Sequence, residues 1–146
     1  MIAEHGKIPP QALDYEEAVL GAIMVEKDAL TEVIDILKPE SFYKDAHQKI
    51  YNAIQGLFRR SEPIDWLTVK TALEKEGHLD IIGGPAYIAQ LTSKIASAAN
   101  IEEHARIISQ KYIQRELIRI SSEIIKESFD ETSDVFDILD SAEHKL

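Results

Sequence analysis

At 146 residues with 45% apolar side chains and no cysteine, the chain can bury roughly two-thirds of its unfolded surface without a disulfide, as one domain or as a body with an appendage. Its 26 acidic and 16 basic residues give a net charge of -10, which opposes nonspecific DNA binding, because affinity for phosphates comes mainly from Lys and Arg. No apolar run approaches the ~18 to 20 residues that span a bilayer. The opening Met1 to Leu13 carries Glu4, His5, Gly6 and Lys7 where a signal peptide would be apolar, so a soluble, cytoplasmic chain is expected.

Ile8, Pro9 and Pro10 are extended, since each Pro fixes φ and restricts the residue before it; residues 1–13 read as a flexible tail. Asp14 and Glu17 have capping-box spacing, followed by Tyr15, Ala18, Val19, Ala22 and Ile23 as a buried side. A second helix is expected to carry Leu30, Val33, Ile34 and Leu37 and to stop at Pro39. The next helix has the clearest interior face: His47, Ile50, Tyr51, Ile54, Leu57 and Phe58. Asp65 caps a fourth helix with Trp66, Val69 and Leu73 inward, and Gly77 is its left-handed terminator. Gly83, Gly84 and Pro85 turn the chain into a helix holding Ile88, Leu91 and Ile95. No segment alternates as a strand does, and the class is all-α, with a globular helical body over 14–99.

Asn100 to Phe129 follows without Gly or Pro, opened by Asn100 and Glu103 at capping-box spacing. One helix of that length runs about 45 Å, longer than a body of this size needs. Its apolar pattern changes midway. Ile101, Ala105, Ile108 and Tyr112 make one stripe, whose continuation carries Arg115, Arg119, Glu123 and Lys126. After Tyr112 the apolar positions occupy two other rows: Ile113, Leu117, Ile120 and Ile124 on one, Ile118, Ile125 and Phe129 on the other. Residues 100–146 therefore read as a hairpin stalk. Val135, Leu139 and Ala142 of the returning helix cover one row, and the other is left for a partner; the alternative is that both rows lie inside one bundle. The last helix is still amphipathic at Leu146, as if cut from a longer chain.

Signals for chemistry are absent. Gly6-Lys7 is followed by Ile8, so no phosphate-binding loop is present, and Gly83-Gly84-Pro85 is better explained as a tight turn than as an anion site. His5, His47, His78, His104 and His144 have no metal-ligand spacing. His47 and Trp66 read as core, and no carboxylate is singled out by an apolar surround. No catalytic, cofactor-binding or metal-binding residue is assigned.

The order of motifs carries further information: Ile8-Pro9-Pro10-Gln11, Glu17-Ala18-Val19-Leu20-Gly21-Ala22, Lys38-Pro39-Glu40-Ser41-Phe42-Tyr43 and Ala46-His47-Gln48-Lys49-Ile50-Tyr51 come first. Glu62-Pro63-Ile64-Asp65, Gly83-Gly84 with Tyr87-Ile88, Ser97-Ala98-Ala99-Asn100 and Ala105-Arg106-Ile107-Ile108 follow. Together they resemble the N-terminal domain of the bacterial replicative DNA helicases, the DnaB family, from about Ile8 to Leu146. Two places depart from the pattern. Trp66 stands where a smaller apolar residue is expected, and Lys94-Ile95-Ala96 replaces a stretch that often holds a Pro.

The resemblance implies a helical body followed by a hairpin that pairs between subunits, six copies forming a trimer of dimers. It implies a non-catalytic scaffold in DNA replication that docks the C-terminal helicase-binding domain of primase and also meets a helicase loader. ATP and Mg would be bound by a motor domain of the full-length parent, an ATP-dependent helicase, and not by this part. Subunit association is assigned to Ile113, Leu117, Ile120 and Ile124, and primase docking to Tyr87, Ile118, Ile125 and Phe129. A free-standing helical adaptor or loader-like protein is the alternative; a helical enzyme and the primase's own helicase-binding domain fit the residues less well.

Overall fold

The computed structural model describes residues 7–94 and 98–146, and among these there is no strand. The helices are α1 (Leu13–Val25), α2 (Asp45–Arg59), α3 (Trp66–Lys75), α4 (Gly84–Ser93), α5 (Ile101–Phe129) and α6 (Val135–Lys145). Short 3-10 turns lie at Ala29–Glu32, Pro39–Ser41 and Ala98–Asn100. The chain divides into two compact units, a body over 11–112 and a second unit in which residues 7–10 join 113–146. Ile95 and residues 1–6 lie outside the described residues.

In the body, α1 packs on α2 and α4, and α3 on α2 and α4. The interior face of α2 is formed as its spacing predicts: His47, Ile50, Tyr51, Ile54 and Leu57 are buried. Phe58, expected with them, is exposed at the last turn of its helix, where the body gives less cover. Gly21 lets α1 approach α4 closely; a Cβ there would lie 2.3 Å from the Leu91 carbonyl oxygen. From α5, Ile101, Ala105 and Ile108 enter the core. Tyr112 lies under Lys38, whose Nζ is 5.0 Å from the ring centre.

Local signals specify several helix ends. Asp65 accepts from the Thr68 amide at 2.9 Å while the Asp65 amide donates to Thr68 Oγ1 at 2.9 Å, closing a reciprocal cap. At the other end of α3, Gly77 has φ 75°, the His78 amide reaches the Leu73 carbonyl, and the Gly77 amide reaches that of Glu74. Those two bonds define a Schellman termination, for which a residue without Cβ is favoured.

Four expectations are corrected. Helix α1 begins at Leu13 with Ala12 as cap and no side-chain cap bond, so Asp14 and Glu17 form no box; Glu17 pairs instead with Lys94 at 3.1 Å. Its buried face also rotates, leaving Tyr15 exposed against the edge of His104 and turning Glu16 inward. Leu30 to Leu37 is a 3-10 turn followed by further turns, although Leu30, Val33 and Leu37 are buried as expected. Mixed i-3 and i-4 bonds hold it, because so short a segment gains little from propagating an α-helix. Trp66 is 45% exposed rather than core, since it is the first residue of α3 and projects from the first turn.

Candidate functional site

The second unit is built on the far half of α5 and on α6. Asp130 ties the connection, accepting from the Thr132 amide and the hydroxyls of Thr132 and Ser133; these bonds hold its carboxyl below the usual range. Asp134 caps α6 by accepting from the Phe136 amide at 2.7 Å. Lys145 in the last turn of α6 reaches Glu123 at 3.1 Å and Glu127 at 3.0 Å, which fastens the returning helix alongside α5. Its ammonium is held above its ordinary range by Glu127 and then Glu123. Arg119 lies between Glu116 and Glu123. Such exposed pairs add little energy singly, but this network runs along one side of the hairpin and leaves the apolar rows on others.

The row assigned to covering α5 is only partly right. Val135 and Leu139 are exposed; the partly buried positions of α6 are Ile138, Ser141, Ala142 and Lys145. The spacing of these four follows one face, and Lys145 bonded to α5 shows which way that face is turned.

Of the residues expected on the association row, Ile113 and Leu117 are exposed, Leu117 by 49%, while Ile120 and Ile124 are half-buried. On the docking row Ile118 is half-buried, Ile125 is 57% exposed and Phe129 is 83% exposed. Leu117, Ile118 and Ile125 come together with Ile8, Pro9 and Pro10 around a groove of about 460 Å³. The small Ser121 and Ser122 also line it, and Ser122 Oγ bonds back to the Ile118 carbonyl at 2.8 Å. Arg115 Nη1 donates to the Pro10 carbonyl at 2.8 Å and pins the tail. The tail residues 7–10, read from sequence as flexible, thus supply one wall of an apolar groove. The fixed φ of two consecutive prolines was the available signal, since a stiff segment loses little entropy on packing.

Tyr87 belongs to the body, where it ends a buried polar chain. Glu16, 1% exposed, accepts from the Tyr43 amide at 2.7 Å, the Lys44 amide at 3.4 Å and His47 Nδ1 at 2.7 Å. The carboxylate of α1 thereby satisfies free amides at the start of α2. With Nδ1 donating to Glu16, His47 Nε2 shares a hydrogen bond with the Tyr87 hydroxyl at 2.6 Å. The phenol oxygen accepts in turn from Lys44 Nζ at 3.2 Å. Burial pushes the Tyr87 phenol up to about 12, with Glu17 adding to the effect. This chain joins α1, α2 and α4. It corrects the expectation that no carboxylate stands in an apolar surround: Glu16 does, among Val19, Leu20 and the other buried residues of α1. Its partners lie 27 to 31 positions away, beyond any local pattern.

No group of three or more His, Cys, Asp or Glu side chains suited to a metal occurs among the described residues, and none of their helices is long and apolar enough to cross a membrane. Gly83 and Gly84, at φ 111° and 74°, make the tight turn that leads into α4, with Gly83 as its cap and Gly84 its first residue.

Comparison with known proteins agrees with this architecture. Residues 8–110 match the family described as DnaB-like helicase N terminal domain. The replicative DNA helicase DnaB of Rhodothermus marinus is 40% identical over 141 residues, 97% of this chain and 15% of the relative. That of Geobacillus stearothermophilus is 39% identical over 140 residues, 96% of this chain and 31% of the relative. The crystal structure of the N-terminal domain of DnaB helicase from Mycobacterium tuberculosis superposes with a TM-score of 0.90 at 36% identity, covering 94% of this chain and 97% of that one. A structure described as that of a DnaB-like replicative helicase and its interactions with primase shares the fold, with a TM-score of 0.77 at 24% identity over 92% of this chain and 32% of that one. The chain thus spans 15% and 31% of the lengths of the two curated relatives.

Proposed function

This chain belongs to the DnaB-like helicase N-terminal domain family, and from that premise we propose that it is a non-catalytic scaffold of a replicative helicase. It associates with copies of itself through the hairpin, in a ring built as a trimer of dimers, and presents a docking surface to primase. ATP hydrolysis, Mg binding and unwinding are assigned to other parts of the full-length protein, which works in the cytoplasm, and a helicase loader is a further partner.

The observation that carries this reading is the apolar surface left open on the hairpin. Leu117 and Ile125 line a groove while half or more exposed, and Phe129 is more exposed still. Stable interfaces use such surfaces, with a few large anchors contributing most of the energy. The primase assignment rests on the resemblance and on the partner in the description of one structural relative. Ile113, Leu117, Ile120 and Ile124 are proposed for association; Tyr87, Ile118, Ile125 and Phe129 for docking.

Burying the exposed half of Leu117 contributes about 1 kcal/mol per copy, and an aspartate there also loses hydration. Leu117→Asp is therefore expected to weaken self-association more than tenfold in sedimentation equilibrium, with unchanged helix content. Equal, fully monomeric behaviour of wild type and variant at high concentration would remove self-association from the proposal. Phe129→Ala is expected to lower affinity for the primase C-terminal domain by about 1–3 kcal/mol in titration calorimetry, with melting unaltered. Unchanged affinity removes Phe129 from the docking surface.

A further inference from the structure

The chain of bonds from Glu16 to Tyr87 leads outward from the core of the body. His47 is fully buried and Tyr87 is partly buried, so the imidazole lies out of reach of a partner while part of the phenol ring does not. The orientation of the imidazole is itself set from two sides. Nδ1 bonds to Glu16 at 2.7 Å, and the buried Phe42 ring stands edge-on to the imidazole at 79°, with centroids 6.5 Å apart. A side chain locked by packing and by a second hydrogen bond is a rigid support for the group it touches.

Tyr87 is held at three places. Its hydroxyl lies 2.6 Å from His47 Nε2, and the two rings stack at 10° with centroids 6.0 Å apart. Lys44 Nζ stands 4.5 Å from the centre of the ring and donates to the hydroxyl at 3.2 Å. At the base of the side chain Gly83 leaves the room, since a Cβ there would lie 3.0 Å from Tyr87 Cβ and 3.3 Å from its Cγ. Base, ring and hydroxyl are each constrained. Glu16 and His47 are buried and need partners for the sake of stability. That need does not explain why their bonds end on a partly exposed ring that an exposed lysine also holds.

We propose that His47 and Lys44 are positioning residues for docking, which fix the Tyr87 ring in one orientation before primase arrives. This rests on the reading, given above, that Tyr87 belongs to the docking surface. Ordering a mobile side chain on binding costs affinity, and a side chain already in place spares that cost, which for one side chain is worth about two- to tenfold. The buried imidazole thus acts on a partner it does not touch.

Titration calorimetry of the full chain with intact primase tests this. Tyr87→Ala is expected to lower affinity about tenfold or more. His47→Asn sets its amide where Nδ1 stands, so Glu16 keeps a donor, but it is too short to reach Tyr87; affinity is expected to fall about two- to fivefold. His47→Gln reaches toward the position of Nε2 and is expected to lose less. Lys44→Met keeps the length of the side chain and the backbone amide that reaches Glu16, and is expected to lose about as much as His47→Asn. As a surface change it carries the test if His47→Asn fails to fold. With Tyr87→Ala already present, neither change is expected to lower affinity further, because nothing is left to position. A residue that merely supports the body, or that touches primase itself, would cost the same in both backgrounds. Lost affinity in Tyr87→Ala beside unchanged affinity in His47→Asn or Lys44→Met overturns the proposal and leaves Tyr87 on the docking surface. Equal losses with and without Tyr87, or equal losses in His47→Asn and His47→Gln, overturn it as well. Unchanged affinity in Tyr87→Ala overturns it together with the docking assignment of Tyr87.

Discussion

Replacing Glu16 by alanine removes an acceptor on which three donors converge, and the structure allows the cost to be worked through. Two bonds, from the Tyr43 amide and from His47 Nδ1, are short at 2.7 Å; the third, from the Lys44 amide at 3.4 Å, is long enough to contribute little. A hydrogen bond to a charged group is worth about 1.5–3 kcal/mol, and a buried donor left without a partner costs about 1–3 kcal/mol. Against this stands the relief of no longer holding a carboxylate that is 1% exposed. The balance is about 3 kcal/mol of lost stability, a large part of the ~5–15 kcal/mol that holds a domain together. Glu16→Gln keeps one acceptor oxygen but turns an amide toward a donor, and an intermediate loss of about 1–2 kcal/mol is expected.

Urea unfolding followed by circular dichroism measures these losses as shifts of the midpoint at constant slope. A double-mutant cycle of Glu16→Gln with Tyr87→Phe adds a sharper readout, because His47 bonds both side chains in the chain described. Tyr87→Phe alone is expected to cost about 1 kcal/mol, and the pair to be non-additive by about 0.5 kcal/mol or more. Stability of Glu16→Ala within about 0.5 kcal/mol of wild type would refute the reasoning, showing that water or a shifted side chain replaces the carboxylate without loss.

Two further outcomes follow from the body. Gly21→Ala places a Cβ 2.3 Å from a backbone oxygen of α4, so the helices must separate, at a cost of about 1–3 kcal/mol; Gly77→Ala meets nothing within 4 Å and loses only about 1 kcal/mol to the positive φ. Equal midpoints for the two variants in urea would count against the close approach. Burial pushes Tyr51 and Tyr87 up to about 12. With folded values above the unfolded value near 10, their contribution is complete below pH 10 and is lost as pH rises toward 12. An ultraviolet titration is expected to show two late phenols, with melting temperature falling over that window; a single step for all five tyrosines near pH 10 would contradict it.

The parts legible in the sequence are those whose causes are local. The reciprocal bonds of Asp65 and Thr68, the left-handed Gly77 and the buried face of α2 all depend on neighbours within a few positions, and each is found where the spacing puts it. The parts that were not legible depend on chain far away. Glu16 shares a face with Val19, Leu20 and Ile23, yet a carboxylate reads as solvated until its donors arrive from the start of α2. Trp66 and Phe58 have the right periodicity for the core and are exposed because each sits at a helix end. The same distinction governs the hairpin. Periodicity identifies the rows of α5, but which row is covered depends on the face that α6 turns toward it. That face is Ile138, Ser141, Ala142 and Lys145 rather than Val135 and Leu139. The returning helix therefore leaves its own apolar residues Val135, Phe136 and Leu139 exposed, as well as Leu117 and Ile125 of α5. A single hairpin has too few helices to cover all of these positions, and water is a poor environment for so much apolar surface. The self-association and docking proposed above would bury it.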